Sequence, residues 1–312
     1  AYNEEESLLE VIGEVPREIE GIDSVEVLVI DDGSMDRTTD MAQKAGAIVF
    51  HHKKNQGLAI AFRTGLIMAL KRGADIIVNI DADGQYNGKE IPRIIKPVLD
   101  GEADVVLTDR QVLERSHMPF GKKYGNIIAT HVTRFTSGFA VRDAQSGFRA
   151  FSREAALRLN ILGSYTYVQE TIIDAAAKRL SIVQVPCEFR ARRGKSRLIS
   201  NIFSYAKRAG SLIIRTYIHH RTLKVFLSLG SFIFVLGVLT GARFLYFYLS
   251  GIGTGHVQSL ILSAVLLIIG FQIIILAMVA DTIHSNRQFL EETLYLLKKR
   301  EYEKGMKATR ST

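Results

Sequence analysis

The chain has 312 residues, 47% of them hydrophobic and 23% charged, which excludes an intrinsically disordered protein and leaves room for one sizeable domain plus additional elements. Its formal net charge of +8 is concentrated: residues 190–224 hold ten Lys or Arg and no Asp or Glu. A basic stripe of that kind beside an apolar run points to anionic lipid headgroups or phosphates, and no nucleic-acid recognition motif accompanies it. The single cysteine, Cys187, excludes an intramolecular disulfide and agrees with a reducing compartment.

In chain order, apolar residues at helical spacing predict a helix over residues 5–18, and "VEVLVI" predicts a strand over 25–30. A helix over 35–46 ends at Gly46, a strand covers 47–52, and a helix over 58–73 ends at Gly73. A strand over 75–80, a helix over 89–101 and a strand over 103–109 follow. Strands this apolar, separated by helices, imply an α/β domain with a mostly parallel sheet covered on both faces. Such sheets bind ligands beyond the carboxyl ends of their strands.

Residues 143–159 read as a short strand and a helix, and residues 167–180 as a second helix. Residues 198–220 are amphipathic and are expected to form one or two helices on a membrane surface. Residues 225–248 and 259–280 each have the length and composition of a bilayer-spanning helix, joined by a connector without Lys or Arg. Basic residues crowd the opposite ends, so the positive-inside rule places both ends of the hairpin, and the α/β domain, on the cytoplasmic side. Gly230, Gly237 and Gly241 include a G-x-x-x-G, read as helix contacts between protomers of a homo-oligomer. A charged cytoplasmic helix follows. The expected domains are therefore 1–197, 198–222, 223–284 and 285–312. The chain starts at Ala1 without Met, and a first strand is expected to precede it.

The polar clusters fall where strands end: "AYNEEE" at 1–6, "DDGSMDRT" at 31–38, "NQGLAIAFRTG" at 55–65 and "DADGQY" at 81–86. One Asp-x-Asp alone is more often a strand end running into an Asp-Gly turn. Four acidic or amide clusters on one sheet edge are not ordinary. On an extended strand Asp81 and Asp83 would share a face. The chain has neither a G-x-G-x-x-G nor a G-x-x-x-x-G-K-[ST], so a diphosphate is more readily held by a divalent cation, which binds through one or two carboxylates plus phosphate oxygens. His51 and His52 read as surface residues at a strand end.

With "QSGFRAF" and "RRGKSRL" these clusters resemble glycosyltransferase family 2, in particular the polyisoprenyl-phosphate glycosyltransferases related to dolichyl-phosphate mannose synthase. The resemblance covers residues 1 to about 200. It implies a GT-A fold and an inverting, metal-dependent transfer of one hexose from a UDP- or GDP-sugar to a polyprenyl or dolichyl phosphate at the cytoplasmic membrane face. It implies a nucleotide-sugar pocket that includes Ala1, Tyr2, Glu4, Asp32 and Asp81, with Arg192 and Lys195 reaching the donor phosphates. Asp83 and Gln85 would hold Mg²⁺ or Mn²⁺. Arg110 would bind the acceptor phosphate with Lys122 or Lys123, and Glu170 would orient acceptor or sugar. Asp83, Arg110, Glu170 and Arg192 form the catalytic set so implied. Processive polymer synthases carry a Gln-x-x-Arg-Trp signature, and this chain has no Trp. Two other readings stand beside this one: a non-catalytic membrane scaffold with a retained nucleotide pocket, and a transferase to a lipid acceptor without phosphate.

Overall fold

The computed structural model describes residues 1–111, 120–161, 167–190, 202–251 and 257–310, with backbone alone at 120–124, 202–222, 284 and 304–310. The chain forms two units, Ala1–Ala209 with Thr293–Thr312, and Gly210–Glu292.

The first unit contains two sheets. In one, β1 (Leu28–Asp31) pairs in parallel with β2 (Ile48–His51). In the other, β3 (Ile76–Asn79), β5 (Arg149–Ser152), β4 (Val105–Asp109) and β6 (Ile182–Pro186) lie side by side in that order. β6 runs parallel to β4, whereas β5 is antiparallel to both β3 and β4. Three of the four strands of this sheet thus share one direction, and β5 is inserted between two of them.

The helices are α1 (Leu8–Gly13), α2 (Thr38–Lys44), α3 (Leu58–Lys71), α4 (Ile91–Leu99), α5 (Phe120–Ser137), α6 (Arg153–Arg158) and α7 (Val168–Ala177). Period-two alternation decides what each strand residue packs against. Val105 and Leu107 of β4 join Phe62 and Leu66 of α3 and Ile172 of α7, while Val106 joins Ile94 of α4 and Phe148 on the other face. Both faces of the sheet are covered, as strands apolar throughout require.

α8 (Ile202–Leu249) carries residues 202–220 of the predicted amphipathic stretch, of which 198–201 lie outside the described residues, and the first apolar span without a break, and α9 (Val257–Arg310) carries the second span and the charged helix. Both are long and apolar enough to cross a membrane. Their glycines are used within the hairpin itself. A Cβ on Gly270 would lie 2.6 Å from the Phe234 backbone nitrogen, and one on Gly237 2.9 Å from that of Leu267. Ser263, 3% exposed, donates to the Gly237 carbonyl at 2.8 Å. The G-x-x-x-G expected to join protomers therefore meets the other helix of the same chain, because small residues let two backbones approach closely. Gly270→Leu is expected to open this packing and lower the melting temperature of the detergent-solubilised protein, whereas a substitution at exposed Leu239 is not. Equal melting of the two variants would contradict that use of glycine.

In the first unit the end of α9 docks on the α/β domain. Tyr295 donates to Glu154 Oε1 at 3.0 Å under the Arg158 guanidinium. Lys298 Nζ donates to Asn160 Oδ1 at 2.9 Å and to the Leu159 carbonyl at 3.3 Å, capping α6. The Tyr302 hydroxyl donates to the Gly73 carbonyl at 3.1 Å.

Candidate functional site

The predicted clusters converge beyond the ends of β1 to β4. Residues 1–4 run beside the end of β1: the Ala1 nitrogen donates to the Ile30 carbonyl at 2.8 Å, and Asp32 N–H donates to the Ala1 carbonyl at 2.9 Å. Ala1 interacts electrostatically with Asp31, Asp81, Asp32 and Glu4. Tyr2 lies beside it, 36% exposed. Glu4 is anchored through its N–H to Thr38 Oγ1 at 2.9 Å, so the first residues line the 31–38 loop.

Asp32 is buried, and its carboxylate is engaged by its own chain. The backbone N–H of Gln56 donates to Oδ1 at 2.9 Å and that of Gly57 to Oδ2 at 2.8 Å, which satisfies donors just ahead of α3. His52 Nδ1 lies 2.8 Å from Oδ1, and its Nε2 lies 3.1 Å from Thr64 Oγ1. This corrects the reading of His52 as a surface residue: its side chain is 10% exposed and links the end of β2 to Asp32 and α3. His51, beside Asp31 at 3.0 Å, remains 45% exposed.

The Asp81–Gln85 segment is a turn beyond β3, not a continuation of the strand, which ends at Asn79. Gly84 has φ +72°, a conformation that glycine adopts without penalty. Asp83 Oδ1 accepts from the Gln85 N–H at 3.2 Å, an Asx turn. The Ser7 hydroxyl holds the Ala82 carbonyl at 2.6 Å. Burial and the neighbouring Asp83 push the Asp81 carboxyl up to about 6, against the opposing charges of Ala1, Arg110 and Arg149. Gly147 presses on this carboxylate: a Cβ there would lie 2.4 Å from Asp81 Oδ2.

Gln85 is clipped to the strand end that leads into residues 191–201. Arg190 N–H donates to the Gln85 carbonyl at 2.8 Å, and Gln85 Nε2 lies 3.4 Å from the Arg190 carbonyl. Tyr86 bridges to Phe189. With its amide nitrogen turned to Arg190, the side-chain oxygen of Gln85 is the end left for a cation. Asp83 and Gln85 together offer hard oxygen donors, which suit Mg²⁺ or Mn²⁺. Among the described residues no cluster of three or more His, Cys, Asp or Glu could hold a metal by itself.

Arg110 closes β4. Its Nε donates to Asp143 Oδ2 at 2.6 Å and its Nη2 to Oδ1 at 3.0 Å, and its guanidinium lies 5.0 Å from the Phe189 ring centroid. Burial opposes the charge on each partner. The mutual attraction outweighs it, so the Arg110 pKa rises and the Asp143 pKa falls. Asp143 was not singled out by the sequence reading, although it stands three residues before "SGFRAF". Glu170 lies in the first turn of α7, whose preceding residue, Tyr167, accepts from Asn79 Nδ2 at 2.8 Å at the end of β3. Arg192 and Lys195 lie outside the described residues. Lys122 and Lys123 fall in the first turn of α5, where the backbone alone is described.

The chain matches the description "Glycosyl transferase family 2" over residues 1–159. It is 30% identical over 229 residues to a UDP-N-acetylglucosamine–dolichyl-phosphate N-acetylglucosaminyltransferase of Methanococcus voltae, covering 64% of this chain and 88% of that one. It is also 30% identical over 217 residues to an undecaprenyl-phosphate mannosyltransferase of Micrococcus luteus, covering 66% and 87%. Its structure resembles that of glucosyl-3-phosphoglycerate synthase from Mycobacterium tuberculosis in complex with Mn²⁺, UDP and glucosyl-3-phosphoglycerate, with TM-score 0.52, 25% identity, and 70% and 76% of the two chains covered. With acidic clusters gathered at the strand ends of a GT-A-like α/β fold and the family match spanning half its length, the chain belongs to glycosyl transferase family 2.

Proposed function

We propose that this protein transfers one hexose from a UDP- or GDP-sugar to a polyprenyl or dolichyl phosphate, with inversion, at the cytoplasmic face of a membrane. The observation that carries this reading is the Asp81–Gln85 turn, where Asp83 and a Gln85 oriented by Arg190 follow Asp81, whose charge interacts with Ala1 beside the end of β1. Relatives named for dolichyl-phosphate and undecaprenyl-phosphate acceptors support the acceptor class, and two helices long enough to cross a bilayer suit a lipid substrate.

In this reading the donor nucleotide lies against residues 1–4 and the Asp31–Asp32 edge, and its diphosphate reaches Asp83 and Gln85. A divalent ion bound there would neutralise the charge that develops on the departing diphosphate. Arg192 and Lys195 reach the same phosphates. Asp143 fixes the plane of the Arg110 guanidinium, whose charge, with Lys122 or Lys123, meets the acceptor phosphate. A phosphate monoester, with second pKa near about 6, is largely ionised at neutral pH and attacks the sugar without a strong general base. Glu170 orients acceptor or sugar. A single displacement of this kind inverts the anomeric carbon.

The test is to reconstitute the full chain in vesicles containing polyprenyl phosphate and to supply labelled UDP- and GDP-hexoses with Mg²⁺ or Mn²⁺. A glycolipid is expected with at least one donor and is lost when the metal is chelated. No glycolipid with any donor would overturn the reading.

A further inference from the structure

Arg149 is among the largest fully buried side chains of the molecule, 0% exposed, and has no place in the chemistry above. Its hydrogen-bond acceptors are all neutral, and the carboxylates of Asp143 and Asp81 act on its charge without a hydrogen bond. Nε donates to the Ser146 carbonyl at 2.8 Å and Nη2 to the Ala144 carbonyl at 3.4 Å. Nη1 donates to the Val168 carbonyl at 2.5 Å and to the Thr171 hydroxyl. Burial lowers its pKa to about 10, which leaves it charged at neutral pH. A buried cation with no carboxylate in hydrogen-bond contact is costly to desolvate, and an aliphatic side chain would fill the space without that cost.

The acceptors come from two places. Ala144 and Ser146 belong to the turn whose Gly147 lies beneath Asp81. The Gly147 carbonyl also accepts from Asn79 Nδ2 at 2.8 Å and from the Tyr167 hydroxyl at 3.2 Å, and its N–H donates to the Tyr86 hydroxyl at 3.0 Å. Val168 and Thr171 form the first turn of α7, on either side of Glu170. One planar fork therefore joins the floor of the donor carboxylates to the helix turn that carries the acceptor-side carboxylate. Lysine could supply the charge but not the fork.

We propose that Arg149 is a positioning residue for sugar transfer, tying the turn under Asp81 to the first turn of α7 and so setting Glu170 against the bound donor. The proposal rests on the transferase reading. Arg149 is 0% exposed, so its loss acts through the groups that it holds in place. Misplacement by about 1 Å costs on the order of 10²-fold in rate.

The experiment compares wild type, Arg149→Lys and Thr171→Val, each as the full chain in vesicles, by kcat, donor KM, and hydrogen exchange over residues 167–174. Thr171→Val keeps the side-chain shape and removes one acceptor of the fork. Expected are a kcat lower by about 10-fold or more in Arg149→Lys and by about 3-fold or more in Thr171→Val, with donor KM within about 3-fold, and faster exchange in α7. A kcat within about 2-fold of wild type in both folded variants would overturn the proposal, as would a loss confined to donor KM. If Arg149→Lys does not fold, Thr171→Val decides alone. If wild type transfers no sugar, the transferase reading fails by itself, and unchanged exchange in Thr171→Val would then overturn the tie.

Discussion

Asp83→Asn is expected to lower kcat by about 10²- to 10³-fold or more while the protein melts as wild type does, because it removes the charge that would face the cation and keeps the turn. An amide oxygen can still accept from the Gln85 N–H, now held at 3.2 Å, so the Asx turn survives the substitution. Isothermal titration with UDP, with and without Mn²⁺, separates the two effects: metal-dependent binding is lost, and metal-independent binding persists. Turnover within about tenfold of wild type, beside normal metal-dependent binding, would remove Asp83 from the proposed cation site. Asp83→Ala gives a second comparison, since it also removes the acceptor of the turn.

The other large effect is expected at Asp143→Ala, which leaves the Arg110 guanidinium buried without its carboxylate. Asp143 is 3% exposed and Arg110 8%, so water screens neither well. Breaking a buried pair by removing one partner costs about 3–5 kcal/mol. Transfer activity falls as well, because Arg110 loses the bidentate contact that fixes its plane. The Asp143 pKa is depressed in the folded protein, despite burial, by the Arg110 charge and hydrogen bonds. Its contribution to stability is therefore complete above the unfolded carboxyl value of about 4 and is lost as pH falls through the folded value. Melting curves from pH 7 down to pH 3 should show the gap between wild type and Asp143→Ala narrowing below about pH 4. A gap independent of pH would mean that Asp143 acts by filling space, not by its charge.

Much of the α/β domain was legible locally. The strands predicted at 25–30, 47–52, 75–80 and 103–109 became β1 to β4 with ends shifted by at most three residues. Short apolar runs bounded by turn residues have few other ways to bury both faces. The helix expected at 5–18 shrank to Leu8–Gly13, and the one at 89–101 opened with a 3₁₀ turn at Gly88–Glu90 before α4. α5 and β6 were not foreseen. β6 has the half-buried pattern of a strand whose partner, β4, lies far away in sequence, so nothing nearby announces the pairing.

The candidate site was legible as residue types and order, less so as contacts. Asp83 and Gln85 were named from their motif, and the turn that holds them, with Gly84 at positive φ, is the local structure that their spacing allows. Asp143 and Arg149 were missed because each is explained by its partners. Arg110 lies 33 residues from Asp143, and Thr171 lies 22 residues from Arg149. His52 read as exposed because a strand end usually is, and Asp32 and Thr64 reach it only once β1, β2 and α3 are packed together.

By itself the sequence determined the α/β alternation, the two apolar spans, the acidic clusters at strand ends and the family, because periodicity, length and motif order are local properties. The tertiary structure decided the antiparallel course of β5 between β3 and β4, the pairing of Arg110 with Asp143 and the burial of Arg149 among carbonyls. It also decided that the hairpin glycines meet the opposite helix of the same chain, and that Tyr295, Lys298 and Tyr302 dock on the α/β domain. These depend on which distant segments share a surface, and a side chain's partner is set by that packing rather than by its neighbours in the chain.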